Sequence, residues 1–179
     1  VNIAESMKYV QLAVDNGMPF ERFIVGPRSM LTLLYNSSEF QTYAASHTTP
    51  EILHGPTLGD VTESSAKVWV RTKTQVPLQV QVSESNDMSN PISSAEVTSD
   101  PNEDYTAVLS VSGLDPNTHY YYQVLANGSI VDVNMATEFT TNPAKGSHAS
   151  FMVAFGGGSG YSVGTFERVW NVVRGREPR

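Results

Sequence analysis

Apolar and polar residues alternate through the middle of the chain. Residues 66–71 read Ala-Lys-Val-Trp-Val-Arg and residues 78–82 read Leu-Gln-Val-Gln-Val. A period of two sends successive side chains to opposite faces, which is the mark of a half-buried strand. Residues 95–98 repeat the pattern weakly. Residues 105–111 place Ala107, Leu109 and Val111 on one side. Residues 119–125, His-Tyr-Tyr-Tyr-Gln-Val-Leu, give the strongest strand. Asn127-Gly128 then supplies a hairpin turn, and residues 130–140 complete the set. With turn residues between the runs, residues 52–141 predict an all-β sandwich of about seven strands. Trp69 is expected in or beside its core.

The flanks follow other patterns. Val10, Leu12 and Val14 alternate up to Asp15-Asn16-Gly17, and an apolar run follows from Phe20 to Val25. Residues 8–25 therefore predict a hairpin, closed by Gly26-Pro27. Two short helices are expected next. Ser29 would cap residues 30–35, and Ser37 or Ser38 would cap residues 39–45. Leu33, Leu34 and Phe40 offer too little apolar surface for these helices to stand alone. Residues 46–57 read as a connector. Past the sandwich, residues 151–155 form a continuous apolar run, a glycine loop covers 156–160, and Phe166, Val169, Trp170 and Val173 recur at helical spacing. Strand, loop and helix in that order open an α/β unit, and Trp170 is expected to dock on the strand.

The expected fold is thus mainly β. Its main body is a seven-stranded sandwich at 51–143. A small α+β element at 1–50 precedes it, and a strand-loop-helix at 144–179 follows. The chain starts at Val1 and ends in Arg-Gly-Arg-Glu-Pro-Arg, which reads as a loop cut open with more expected downstream.

Composition narrows the function. Among 179 residues, 18 acids oppose 11 bases, a net charge of −7. The imbalance is local: residues 51–150 carry twelve acids and four bases, net −8. General affinity for nucleic acid through phosphate contacts is therefore not expected. Charged residues make up only 16% and hydrophobic ones 40%, which argues for a folded chain rather than a disordered one. The absence of cysteine excludes disulfides, thiolate nucleophiles and zinc ribbons. Apolar runs span only a few residues, so no membrane-crossing helix is expected.

Three stretches carry a family likeness. His54-Gly55-Pro56-Thr57-Leu58-Gly59, residues 66–71, and Gly113-Leu114-Asp115-Pro116-Asn117-Thr118-His119-Tyr120-Tyr121-Tyr122 resemble the N-terminal fibronectin type III-like domain of PhoD-like (alkaline phosphatase D) metallophosphoesterases. Purple acid phosphatases carry a similar N-terminal sandwich. The order sharpens the likeness: residues 151–161 resemble the first catalytic-domain strand and loop of that family, and residues 166–170 its first helix. The resemblance covers roughly residues 52–179. It implies a fibronectin type III-like (immunoglobulin-like) sandwich followed by an α/β/β/α metallophosphoesterase domain, here only begun at 144–179. It also implies a phosphoester hydrolysis run by metal-bound hydroxide, with divalent or trivalent ions in the parent enzyme. The family's Gly-Asp, Asn and His ligands come later than residue 179. Where many relatives carry a ligand cysteine, this chain has Gly158. The resemblance therefore leaves the chain itself without catalytic residues, metal ligands or cofactor.

The remaining candidates are weighed against plain structural roles. Gly156, Gly157 and Gly158 could border a substrate with backbone N–H groups. They match neither G-x-G-x-x-G nor a P-loop, and a tight loop is the favoured reading. His47, His54, His119 and His148 lack metal-ligand spacing. Asp100, Glu103 and Asp104 could hold calcium but lack the EF-hand pattern, so a solvated turn is the default. Tyr120, Tyr121 and Tyr122 could form a carbohydrate or peptide platform, yet alternation sends Tyr121 away from its neighbours, and one face is expected in the core. Asn36-Ser37-Ser38 and Asn127-Gly128-Ser129 are N-glycosylation sequons.

Two functions are carried forward. The first is a non-catalytic scaffold segment of a secreted, periplasmic or cell-surface PhoD-like phosphatase or phosphodiesterase, partnered by the rest of its own catalytic domain. The second is an extracellular adhesion module or fibre subunit, in which the N-terminal hairpin donates a strand to a neighbour's sheet edge.

Overall fold

The computed structural model describes residues 2–133, 137–150, 152 and 175. The strand, glycine loop and helix expected between 151 and 174, with Gly156, Gly157, Gly158 and Trp170, lie outside the described residues.

The N-terminal segment is helical where a hairpin was expected. Helix α1 spans Ile3–Asp15, and short helices α2 (Glu21–Val25), α3 (Thr32–Tyr35) and α4 (Ser38–Ala45) follow. The alternation of Val10, Leu12 and Val14 misleads because Val10 and Val14 are also one helical turn apart. Met7 and Val10 are buried, Ile3 and Val14 pack beside them, and Leu12 points to solvent. The spacing 3, 7, 10, 14 is a helical stripe. Asn2 caps the start by accepting from the Glu5 N–H at 3.2 Å. Asn16-Gly17, the expected hairpin turn, ends the helix instead. The Met18 N–H donates to Ala13 O and the Gly17 N–H to Val14 O, with Gly17 at φ +90°. This is a Schellman closure, which needs the same left-handed glycine that a hairpin would use.

Ser37 caps α4 as expected, its hydroxyl accepting from the Phe40 N–H at 3.2 Å. Ser29 does not cap α3; Leu31 occupies that position without a side-chain bond. The four helices cover one small core of Met7, Val10, Phe20, Leu34 and Phe40.

The sandwich has nine strands among the described residues: β1 (Ile52–Gly59), β2 (Ser65–Thr72), β3 (Pro77–Ser83), β4 (Ile92–Ser93), β5 (Val97–Thr98), β6 (Thr106–Ser112), β7 (His119–Ala126), β8 (Ser129–Ile130) and β9 (Glu138–Thr140). One sheet runs β1-β2-β6. The other is built on β3 and β7, with β4 and β5 pairing successive parts of β3, and β8 and β9 successive parts of β7. Nine strands therefore follow seven paths, two of them interrupted edges. All pairings are antiparallel.

Strand β1 starts where the sandwich was expected to start but overlaps the stretch, 46–57, that reads as a connector. Its register shifts twice on β2, which breaks the alternation that would have revealed it. Gly55, at φ +91°, sits where a Cβ would fall 2.7 Å from the Trp69 carbonyl oxygen, so the close approach of β1 to β2 requires glycine.

Between the sheets, Val68 and Val70 of β2, Val80 and Val82 of β3, Leu109 of β6 and Val124 of β7 are wholly buried. Trp69 is not among them. It stands half-buried on the outer face, across from Thr57 and Val108, because its valine neighbours hold the inward positions. Tyr120 and Tyr122 point inward, and the Tyr120 hydroxyl accepts from the Asp115 N–H at 2.9 Å, the tyrosine corner of such sandwiches.

Candidate functional site

The helical unit meets the sandwich at one polar junction. On the sandwich side, a 3-10 turn at Pro101–Glu103 leads into Asp104 and Tyr105. These two consecutive residues hold φ of +56° and +59°, a conformation that costs free energy in side chains other than glycine. The turn is tied by Asp100, whose carboxylate accepts from the Asn102 N–H and whose carbonyl accepts from the Tyr105 N–H at 2.7 Å. Its result is to face both Asp104 and Tyr105 toward two arginines.

Arg71, near the end of β2, is the buried member, only 8% exposed. Its Nε donates to Asp104 O at 3.2 Å, and its Nη2 donates to the Asp104 carboxylate and to Val25 O at 2.5 Å. Val25 closes α2, so Arg71 supplies a donor to a helix-terminal carbonyl that lacks a helical partner. Arg28 approaches from the helical side. Its guanidinium carbon lies 4.4 Å above the Tyr105 ring, and its Nε donates to Ile24 O at 3.2 Å. Arg28 Nη1 is 3.4 Å from Asp104 Oδ1, within ion-pair range but not aligned as a hydrogen bond. One carboxylate thus serves two guanidinium groups and clasps the two units together.

Tyr35 lies behind the clasp, its hydroxyl donating to Phe23 O. Burial pushes the Tyr35 phenol above its ordinary value, an effect that Arg28 and Arg71 partly oppose. Burial raises Tyr122 in the sandwich core likewise. Both folded-state values lie above the unfolded value of 10.0, so the folded chain holds these protons more tightly. Stability is therefore full below about pH 10 and falls as pH rises from there through the folded values. Urea unfolding measured across that range should show this alkaline loss, and Tyr122→Phe should reduce it.

Beside the clasp is an open cavity of about 300 Å³. Ile24, Phe40 and Ala44 line it from the helices, and Lys73 and Tyr105 from the sandwich.

The expected sites are scattered. Asn36 is exposed at the end of α3, and Asn127 is exposed in the β7–β8 turn at φ +51°. The acidic residues do not converge on a cation: Asp100 is bound to its own turn, and Asp104 to the arginines. His47 packs tilted against both Phe20 and Tyr43, at centroid distances of 4.5 and 4.4 Å. His119 meets Tyr121 edge-on at 4.9 Å and approaches Glu138 at 3.4 Å. Tyr121 alone of the three tyrosines faces outward, so they make no continuous platform. Among the described residues no group of three His, Asp or Glu could hold a metal ion. The described residues therefore offer no ligand set of their own to a metal centre. The clasp itself was missed in sequence. Arg28, Arg71 and Asp104 lie far apart along the chain, and the arginine ending an alternating strand was its one visible signal.

Residues 37–143 match the family described as PhoD-like phosphatase, N-terminal domain. A solved structure of PhoD is 21% identical, covering 53% of this chain and 20% of that one, with a TM-score of 0.46. This chain therefore spans about a fifth of that protein. The fibronectin type III domain of human KIAA0970 protein is 16% identical over 70% of this chain and 97% of its own, at a TM-score of 0.44. That of human contactin 1 is 19% identical over 59% and 94%, at 0.36. No curated protein matches.

Proposed function

This chain belongs to the family of PhoD-like phosphatase N-terminal domains, and we propose that it is the non-catalytic scaffold segment of a secreted PhoD-like phosphatase or phosphodiesterase, inactive alone. The observation that carries this reading is the family match over residues 37–143, which spans α4 and the whole sandwich. The arrangement of the polar groups supports it. The ionic cluster of Arg28, Arg71 and Asp104 is spent on joining helices to sandwich, and the tyrosines of β7 on the core and its outer face. In this reading the natural partner is the remainder of the catalytic domain. That remainder supplies the divalent or trivalent metal ions, Gly156, Gly157 and Gly158 form a loop on its substrate side, and Asn36 and Asn127 are surface acceptors for glycans.

The fibre reading loses its donor. Residues Ile3–Asp15 form a helix, so no N-terminal hairpin is there to complete a neighbouring sheet.

The reading frame of the natural transcript beyond the codon for Arg179 tests the proposal. A frame that continues into a Gly-Asp motif, then Asn-His and paired histidines, is the expected result. A stop codon directly after Arg179 would remove the enzyme reading.

A further inference from the structure

We propose that the cavity beside the clasp binds a small amphipathic carboxylate, with its apolar body against Ile24, Phe40 and Ala44 and its charge toward Lys73 and Arg28.

The electrostatics of the junction run against those of the chain. Residues 51–150 carry net −8, yet Arg28, Arg71 and Lys73 gather at this junction, the two arginines on Asp104 and the Lys73 N–H on Glu51 O. Glu51 accepts from the Thr74 hydroxyl at 3.3 Å. Asp104 is divided between two arginines. Lys73 lines the cavity and forms no ion pair among the described residues. Both Nη atoms of Arg28 are buried without a hydrogen-bond partner there. Buried guanidinium nitrogens without a hydrogen bond are costly, Nη1 having only the Asp104 carboxylate at 3.4 Å, and a carboxylate is the acceptor that their chemistry matches.

The walls define the rest of the ligand. Ile24, Phe40 and Ala44 are apolar and the Tyr105 ring is flat, so the body should be aliphatic or aromatic. About 300 Å³ lies at the small end of ligand sites, which favours a small molecule. A monoanion suits Lys73, which lines the cavity and has no ion-pair partner among the described residues. A phosphate dianion would lose more hydration than these partners return, and it has no apolar part to bury.

Amide chemical-shift titration of the chain tests this with four sodium salts or neutral probes: benzoate, inorganic phosphate, chloride and benzyl alcohol. Benzoate should give saturable shifts at Lys73, Thr74 and Tyr105. Lys73→Gln, a change at the rim that leaves the fold intact, should weaken it about tenfold by removing a charge-assisted contact. Ala44→Leu should fill the cavity and abolish binding. Non-saturating shifts, equal binding of benzyl alcohol, tighter binding of phosphate at the same amides, or unchanged benzoate affinity in both variants would each overturn the proposal. None of these outcomes bears on whether the parent is a phosphatase.

Discussion

Replacing Arg71 with methionine should loosen the helical unit from the sandwich and cost about 2 kcal/mol of stability. The estimate rests on burial. Arg71 is 8% exposed, and its guanidinium satisfies Val25 O, Asp104 O and the Asp104 carboxylate together. Methionine fills part of the volume but donates nothing, so the Val25 carbonyl loses its partner. The Asp104 carboxylate is half-exposed, and water takes over much of its loss, which keeps the figure from rising further. Hydrogen exchange gives the sharper readout. Amides of α1 and α4 should lose protection while those of β3 and β7 keep theirs, because the sandwich core does not depend on the clasp. Arg71→Lys should recover only part of the effect, since an ammonium cannot span three acceptors as a planar fork does. Unchanged helical protection in Arg71→Met would show that the clasp does not hold the units together.

The larger loss is expected at the centre of the sandwich. Leu109→Ala should cost about 3 kcal/mol. Leu109 is wholly buried on β6 and sits across from Val68 of β2, within the same core as Val80 and Val124 of the opposite sheet. Close-packed β-strands cannot collapse far into the space a leucine leaves, so the cavity adds to the lost transfer free energy. Leu109→Ile, which conserves volume, should cost about 1 kcal/mol. Urea unfolding of the two variants distinguishes packing from general sensitivity of the strand. Equal small losses in both would mean that the two sheets do not interdigitate there.

The sandwich was legible because period-two alternation is strict wherever one strand face is buried. Val68, Val70, Leu109 and Val111 each point where that rule sends them. Trp69 shows the limit of reading by residue type. Its size suggested the core, while its register between two inward valines put it outside. The α1 segment fits two periods at once. Only the stripe that includes Ile3 and Met7 decides for the helix, and Asn-Gly serves helix ends and hairpins equally. Strand β1 was hidden by its two register shifts. The clasp was not legible because it is a property of tertiary approach. Nothing local to Arg28, Arg71 or Asp104 predicts that they meet, and the left-handed pair Asp104-Tyr105 that aims them carries no glycine to announce it.

The most direct test of the scaffold account is a hydrolysis assay on the purified chain, with p-nitrophenyl phosphate and bis(p-nitrophenyl) phosphate as substrates and calcium, iron(III), manganese and zinc supplied in turn. The account predicts a rate indistinguishable from the protein-free control under every condition. Saturable, metal-dependent turnover by these 179 residues would contradict it.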